Sequence, residues 1–138
     1  MTNETKQEQT NKIVYNLTSK DARTHKVVKT LINPNTGEAE ECEFVYQVPS
    51  LATRVRIGQM RSSLLGSNTL ESFDITTLNL TYLLAYLSCT IVKKPSWVSF
   101  EELYDINFLQ DMYDEVIDFA NRFQDNYQSY INGDSLQK

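Results

Sequence analysis

F-D-I-T-T-L-N-L-T-Y-L-L-A-Y-L-S-C-T-I-V stands at residues 73–92, and it is followed by K-K-P-S-W at residues 93–97. The next block, residues 98–123, reads V-S-F-E-E-L-Y-D-I-N-F-L-Q-D-M-Y-D-E-V-I-D-F-A-N-R-F. Residues 75–92 carry no charge, whereas the later block alternates apolar and acidic positions at helical spacing. Between them stand Pro95, the last proline, and Trp97, the only tryptophan. This order predicts a buried helix, a fixed corner and an amphipathic helix.

The uncharged helix is predicted at about residues 75–92. Its length touches the lower limit of a membrane span, but six polar side chains lie within it, which favours a core helix over a membrane helix. Asp74 can cap its start, and Pro95 is expected to stop it because proline disfavours helical geometry in the preceding residue. A helix that is apolar on most sides lies in the middle of a bundle or in an oligomer interface.

A short helix is predicted at about residues 100–104 and a long one at about 106–127. Ser99 and Glu102 have the spacing of a capping box at the first, and Asp105 can cap the second. The long helix is apolar on one side and acidic on the other. Its acidic side carries Asp111, Asp114, Glu115 and Asp118. We interpret these carboxylates as a solvated face whose use in function is the electrostatic selection of a partner.

Trp97 at the corner has two interpretations. A single tryptophan after a proline, between two helices, is typical of a core residue that fixes the corner. If its ring is partly exposed beside Phe100 and Tyr104, it is instead a natural anchor for a partner protein.

A β-hairpin is predicted at about residues 26–48. Pro34 and Gly37 provide a turn, and the segment after it alternates between apolar and polar residues, which is the strand period. Cys42, Phe44 and Tyr46, with Val48 beyond them, fall on one face of the second strand. Because an isolated hairpin is marginal in water, we expect this face to pack on the helices or to pair with another copy of the chain.

A third helix is predicted at about residues 51–65, capped by Ser50. Its apolar face is expected at Leu51, Val55, Met60 and Leu64. Residues 45–70 contain three arginines and no acid, and the arginines are Arg54, Arg56 and Arg61. Either they pair with acids elsewhere in the fold, or they form a cationic stripe that faces a partner.

The predicted fold class is therefore α+β and mainly helical, with an N-terminal hairpin followed by a compact bundle of three to four helices. Residues 13–130 are expected to form a single domain between a flexible tail at 1–12 and a frayed tail at 131–138. The chain of 138 residues is long enough for such a core.

Composition excludes several classes of function. The net charge is −5, and residues 95–138 hold nine acids against two bases, which argues against nucleic-acid binding. Two cysteines, in separate predicted elements, are expected to stay reduced. Residues 1–12 are polar and lack the apolar stretch of a signal peptide, so we expect a cytoplasmic compartment.

No catalytic constellation is visible in the sequence. His25 is the only histidine and has no cysteine pair nearby, so we interpret it as a surface residue. The acidic residues lack the glycine-containing loop of a calcium site, and no phosphate-binding glycine motif is present. We expect a protein that is not an enzyme and that has no cofactor and no metal.

Four segments of the chain resemble the tail assembly chaperones of tailed bacteriophages, the small proteins encoded ahead of the tape measure protein. They are R-I-G-Q-M-R-S-S-L-L-G (56–66), T-L-N-L-T-Y-L-L-A-Y-L (77–87), K-P-S-W-V-S-F-E-E-L-Y-D (94–105) and L-Q-D-M-Y-D-E-V-I-D-F (109–119). They lie within residues 56–119, which is roughly half of the chain, and the likeness is one of pattern. The N-terminal hairpin has no counterpart in it.

The resemblance implies a chaperone in the host-cell cytoplasm that binds the tape measure protein and keeps it soluble until tail tube subunits polymerise around it. The tail tube protein and further copies of the chain are additional candidate partners. The alternative is a small structural subunit of a phage tail or baseplate that remains in the virion. Mass spectrometry of purified particles separates the two, because a structural subunit would be present in the particles and a chaperone would be absent. Candidate partner-binding residues are Arg54, Arg56, Arg61, Trp97, Phe100, Asp111, Asp114 and Asp118.

Overall fold

The computed structural model describes residues 22–66 and 73–132. Three β-strands and three α-helices appear in these ranges. The strands are β1 (Thr24–Ile32), β2 (Ala39–Gln47) and β3 (Ile91–Lys93), and the helices are α1 (Leu51–Leu65), α2 (Ile75–Thr90) and α3 (Ile106–Asn132). A 3-10 helix, Phe100–Glu102, lies between β3 and α3. The α+β, mainly helical class is confirmed. The tail expected at residues 1–12 lies outside the described residues, and of the tail expected at 131–138 only residues 131–132 are described, as the end of α3.

The hairpin forms as an antiparallel pair in which Val27 stands opposite Phe44. Its turn is closed by the Gly37 N–H, which donates to the Asn33 carbonyl over 2.7 Å, and Gly37 has a φ of 75°. Only glycine adopts that left-handed geometry without a steric cost. Cys42, Phe44 and Tyr46 are buried against the helices, so this face is not available for pairing with another chain.

The sheet contains a third strand that the sequence analysis did not predict. The order is β1-β2-β3, and β3 pairs antiparallel with β2, Ile91 opposite Tyr46. The helix expected to reach residue 92 therefore ends at Thr90, well before Pro95. Ile91 and Val92 follow Thr90, and a run of β-branched residues fits a strand better than the last turn of a helix.

The helix starts largely follow their capping residues. The Ser50 hydroxyl accepts a hydrogen bond from the Thr53 N–H (3.2 Å), and the Asp74 carboxylate accepts one from the Thr77 N–H (2.7 Å). Ser99 is the exception, since its side chain makes no capping hydrogen bond and the segment after it is one turn of 3-10 helix. The capping box predicted there is wrong, because the Glu102 N–H that the Ser99 side chain would cap donates instead to the Ser99 carbonyl over 3.1 Å, as in a 3-10 turn.

α2 is the most enclosed element, and it contacts α1, α3, β3 and the 3-10 helix. Its buried threonine hydroxyls are satisfied within the helix: Thr81 donates to the Thr77 carbonyl and Thr90 to the Tyr86 carbonyl, each over 2.7 Å. These bonds explain how a helix with so many polar residues fits into a core. The main core joins Phe44 and Tyr46 of the sheet, Leu87 of α2, and Met112 and Val116 of α3.

α3 is held against β1 by polar contacts at its middle. Glu115 reaches both Lys29 (3.3 Å) and His25 (3.2 Å) with its two carboxylate oxygens. The His25 ring stacks on Phe119 at a centroid distance of 4.8 Å. His25 is thus a partly buried contact residue between strand and helix, which corrects the expectation of a surface histidine.

Candidate functional site

A groove lies between α1 and α2, with a volume of about 240 Å³ and one side open to solvent. Both helices contribute to its lining. The lining residues are Arg54, Ile57, Gly58 and Arg61 of α1 with Tyr82 and Tyr86 of α2. Hereafter this is called the arginine–tyrosine groove.

Helix geometry places these side chains together. Arg54 and Arg61 are seven residues apart, so they point to the same side of α1 about 10.5 Å apart along its axis. Tyr82 and Tyr86 are one turn apart on α2, and their rings stack at 5.9 Å. Gly58 lies between the arginines, and a Cβ added to it would meet no atom within 4 Å. No side chain therefore fills the groove at Gly58, and a partner can approach the α1 backbone there.

The two arginines of the groove have no counter-charge among the described residues. Neither Arg54 nor Arg61 forms an ion pair with a residue in ranges 22–66 or 73–132. The Arg61 guanidinium instead lies over the Tyr82 ring, 5.7 Å from its centroid. Its Nε is buried with no hydrogen-bond acceptor among the described residues. A buried donor without a partner is unfavourable, and an incoming carboxylate would gain an ionic contact with the guanidinium.

The back wall of the groove is rigid because Tyr86 is tied to the sheet. The hydroxyls of Tyr86 and Tyr46 are 2.6 Å apart and form a buried hydrogen bond. Tyr113 of α3 packs edge-on against both Tyr82 and Tyr86. Burial raises the pKa of Tyr46, Tyr86 and Tyr113 above the usual value near 10. These hydroxyls therefore stay protonated at neutral pH and serve as neutral hydrogen-bonding groups.

Exposed apolar side chains extend the groove along α1. Leu51 is 82% exposed and Val55 59% exposed. With Gly58 they have i, i+4, i+7 spacing, which puts them on the side of α1 that borders the groove. The expected apolar face of α1 is therefore only partly right: Met60 packs against the core, but Leu51, Val55 and Leu64 are exposed, and Ile57 and Leu65 are the buried residues of this helix. Large aliphatic side chains left in solvent beside a cationic groove are typical of a contact surface.

The remaining candidate residues are distributed over other surfaces. Arg56 is exposed away from the groove and donates to the Thr53 hydroxyl over 3.0 Å. Trp97 is half-buried against the core at the corner after α2. Phe100 is a core residue, 3% exposed, and its ring lies 6.1 Å from that of Phe44. The structure therefore brings Arg54 and Arg61 together in the groove. Arg56, Trp97 and Phe100 lie outside it.

Asp111, Asp114 and Asp118 are exposed on one side of α3. Asp114 accepts a hydrogen bond from Gln110 (2.9 Å), and Asp118 pairs with Arg122 (3.3 Å) on the same helix. Glu115, expected on the same face, turns instead to β1. Hereafter the three aspartates are called the α3 acidic row.

The sequence analysis missed four of the groove residues, which are Ile57, Gly58, Tyr82 and Tyr86. The one signal in the sequence was the i, i+4 spacing of two tyrosines in an otherwise aliphatic helix. That spacing indicates a shared helix face but does not distinguish a face buried in the core from one that lines a groove.

Within the described part of the chain, no three metal-binding side chains come together. None of the described helices combines the length and hydropathy that a membrane crossing requires. Comparisons with protein-family models, with curated proteins and with solved structures find no match to this chain. The groove is therefore the feature on which a functional conclusion can be built.

Proposed function

We propose that this protein is a non-enzymatic tail assembly chaperone that binds the tape measure protein of a tailed bacteriophage and keeps it soluble in the host cytoplasm. The observation that carries the proposal is the arginine–tyrosine groove beside the exposed Leu51 and Val55, with two guanidinium groups that no described residue pairs. The sequence pattern at residues 56–66, 77–87 and 94–119 supports the same conclusion.

The groove and its apolar border suit an amphipathic helix with acidic residues. An apolar stripe on such a helix would cover Leu51 and Val55 and remove them from water. A carboxylate on the adjoining face would enter the groove and form ionic contacts with the guanidinium groups of Arg54 and Arg61. A long helical client offers many such segments, so several copies of the chaperone would bind along one client molecule.

Co-expression with the large helical protein encoded next to this chain tests the proposal. We expect the wild-type chain to increase the soluble fraction of that protein and to co-purify with it. The Arg54→Gln/Arg61→Gln variant is expected to lose most of this effect. Arg56→Gln is the matched control, since it removes an arginine from the same helix outside the groove.

Two results would contradict the proposal. One is a client that stays equally insoluble with and without the wild-type chain. The other is an equal loss with Arg56→Gln and with the groove variant, because that would indicate a general effect of positive charge rather than the groove.

A further inference from the structure

The chain carries two charged surfaces that match each other in sign and spacing. Arg54 and Arg61 of the groove are separated by seven residues, and so are Asp111 and Asp118 of the α3 acidic row. Seven residues of α-helix rise about 10.5 Å and return to nearly the same side. Two helices laid side by side would therefore bring both aspartates opposite both arginines at once.

These surfaces do not satisfy each other within one molecule. In the described part of the chain, the arginines have no ionic partner, and the aspartates contact only Gln110 and Arg122 of their own helix. α1 and α3 each contact α2, and the acidic row is exposed to solvent. Both surfaces are thus presented outward at the same time.

We propose that the arginine–tyrosine groove of one copy binds the α3 acidic row of a second copy. The carboxylates of Asp111 and Asp118 would pair with Arg61 and Arg54, in either helix direction, and Asp114 would lie between them over Gly58. Gly58 permits this approach because no side chain fills the space above it.

The contact joins two different surfaces, so it is heterologous. Each bound copy still presents one free groove and one free acidic row, and association therefore continues into chains or closes into a ring. Since the pairs form near the surface, their attraction is modest and salt weakens it. The self-association is expected to be concentration-dependent and strongest at low ionic strength.

This inference goes beyond the proposed function and does not rest on it. An acidic client helix and α3 of a second copy would use the same groove, so a client would displace self-association. The inference itself concerns the purified chain alone, and its test needs no client.

Sedimentation equilibrium of the full chain at increasing concentration provides the test. At 0.01 M salt, where the screening length is about 30 Å, we expect the mean mass to rise above the 16.0 kDa of one chain. At about 1 M salt the screening length falls to about 3 Å and the mass should return to that of the monomer. Arg54→Gln/Arg61→Gln and Asp111→Asn/Asp114→Asn/Asp118→Asn should each stay monomeric at both salt concentrations.

Mixing the two variants gives the sharper result. The arginine variant retains an acidic row and the aspartate variant retains a groove, so one contact can form between them. We expect a 1:1 heterodimer that grows no further, because its two remaining surfaces are both neutralised. Two symmetric arrangements, with identical surfaces facing each other, would not give this rescue.

Control variants separate the specific contact from net charge. Arg56→Gln controls for the arginines, and Glu38→Gln/Glu41→Gln/Glu101→Gln removes three exposed acids from other elements. Both should associate like wild type. Far-ultraviolet circular dichroism checks that each variant is folded. If loss of the partly buried Arg61 unfolds the chain, the single variant Arg54→Gln replaces the double arginine variant in the test.

A wild-type chain that stays monomeric at low salt and high concentration would overturn the inference. Association that persists in both neutralised variants, or a mixture that forms no heterodimer, would overturn it as well. These outcomes leave client solubilisation unaffected, so failure of the self-association and failure of the proposed function are distinguishable.

Discussion

Tyr46 and Tyr86 form the one contact in which two buried hydroxyls join the sheet to α2. Their oxygens are 2.6 Å apart, and Tyr46 is fully buried. A tyrosine hydroxyl in a core is stable only if it finds a partner, since its desolvation costs free energy. Each tyrosine therefore provides the hydrogen-bond partner that allows the other hydroxyl to be buried.

Replacing either residue alone with phenylalanine is expected to lower the free energy of unfolding by about 1–3 kcal/mol, because it leaves the other hydroxyl buried without a partner. The double variant Tyr46→Phe/Tyr86→Phe should cost less than the sum of the single variants, since it removes both polar groups. Urea denaturation of the four proteins measures this coupling. Strictly additive losses would show that the hydroxyl pair makes no specific contribution.

The same tyrosines make the protein sensitive to alkali. Burial, the main cause, raises the pKa of Tyr46, Tyr86 and Tyr113 above the value of about 10 that they have when unfolded. Above that pH the unfolded chain releases these protons while the folded chain retains them. The contribution of these tyrosines to the free energy of unfolding is therefore fully present below about pH 10 and falls as the pH rises further.

Urea denaturation between neutral pH and pH 11 measures this fall, and absorbance of the tyrosinate form reports which rings ionise. Cys42 and Cys89, whose pKa values burial also raises from about 9, contribute a loss that begins at lower pH. The Tyr46→Phe/Tyr86→Phe variant separates the two, because it should lose stability less steeply above pH 10 but equally near pH 9. Identical slopes in both proteins would contradict the assignment to these tyrosines.

Among the helices and strands, the ones predicted from the sequence are those that short stretches of neighbouring residues specify. The hairpin followed from a strict alternation and a Pro/Gly turn, and α1, α2 and α3 began at capping residues that the structure confirms. β3 was missed because its pairing with β2 depends on two segments that are far apart in sequence. A strand of three residues has no periodicity of its own, and its β-branched residues simply extended the apolar run of α2.

The candidate site was predictable only in part for the same reason. The seven-residue spacing of Arg54 and Arg61 is visible in the sequence. Which side of α1 faces the core is not, because this helix has no dominant apolar face. The helix carries aliphatic residues on both sides, exposed at Leu51 and Val55 and buried at Ile57. The spacing of aliphatic residues alone therefore did not distinguish the buried side of α1 from the exposed side.

α1 depends on its N-terminal cap more than the other helices do, since little of it is buried. Ser50→Ala removes the hydrogen bond from the hydroxyl to the Thr53 N–H and is expected to lower the free energy of unfolding by about 1 kcal/mol. Ser50→Asp is the matched control, because aspartate accepts the same bond and should keep the stability near that of wild type. Thermal or urea denaturation checks both, and equal losses in the two variants would show that the cap is not the cause.

Across the whole molecule, the sheet, α2 and α3 share one core, whereas α1 is attached to its side. A continuous series of ring contacts runs from Tyr113 through Tyr86 and Tyr46 to Phe119 and His25. Glu115 of α3 contacts Lys29 and His25 of β1 and so joins the strand to the same unit. α1 adds the buried Ile57 and the partly buried Met60 to this core, and its main helix contact is with α2.

This arrangement predicts that α1 opens at a lower free energy than the rest of the protein. Few buried apolar contacts hold it, and segments of that kind exchange their amide hydrogens through local opening rather than global unfolding. Native-state hydrogen exchange should therefore show weaker protection at residues 55–65 than at residues 81–90 of α2, which serve as the internal control. Equal protection in both helices would mean that α1 belongs to the same cooperative unit.

The least stable helix then carries the two arginines of the groove, and a bound partner should change that. Because a ligand that binds only the closed form adds RT ln(1 + [L]/Kd) to its stability, an acidic helix in the groove would raise the opening free energy of α1 by about 2.7 kcal/mol at 100-fold Kd. The protection of residues 55–65 should rise accordingly, while that of α2 and α3 changes little. With Arg54→Gln/Arg61→Gln the rise should vanish, and a rise that persists in this variant would place the partner elsewhere on the molecule.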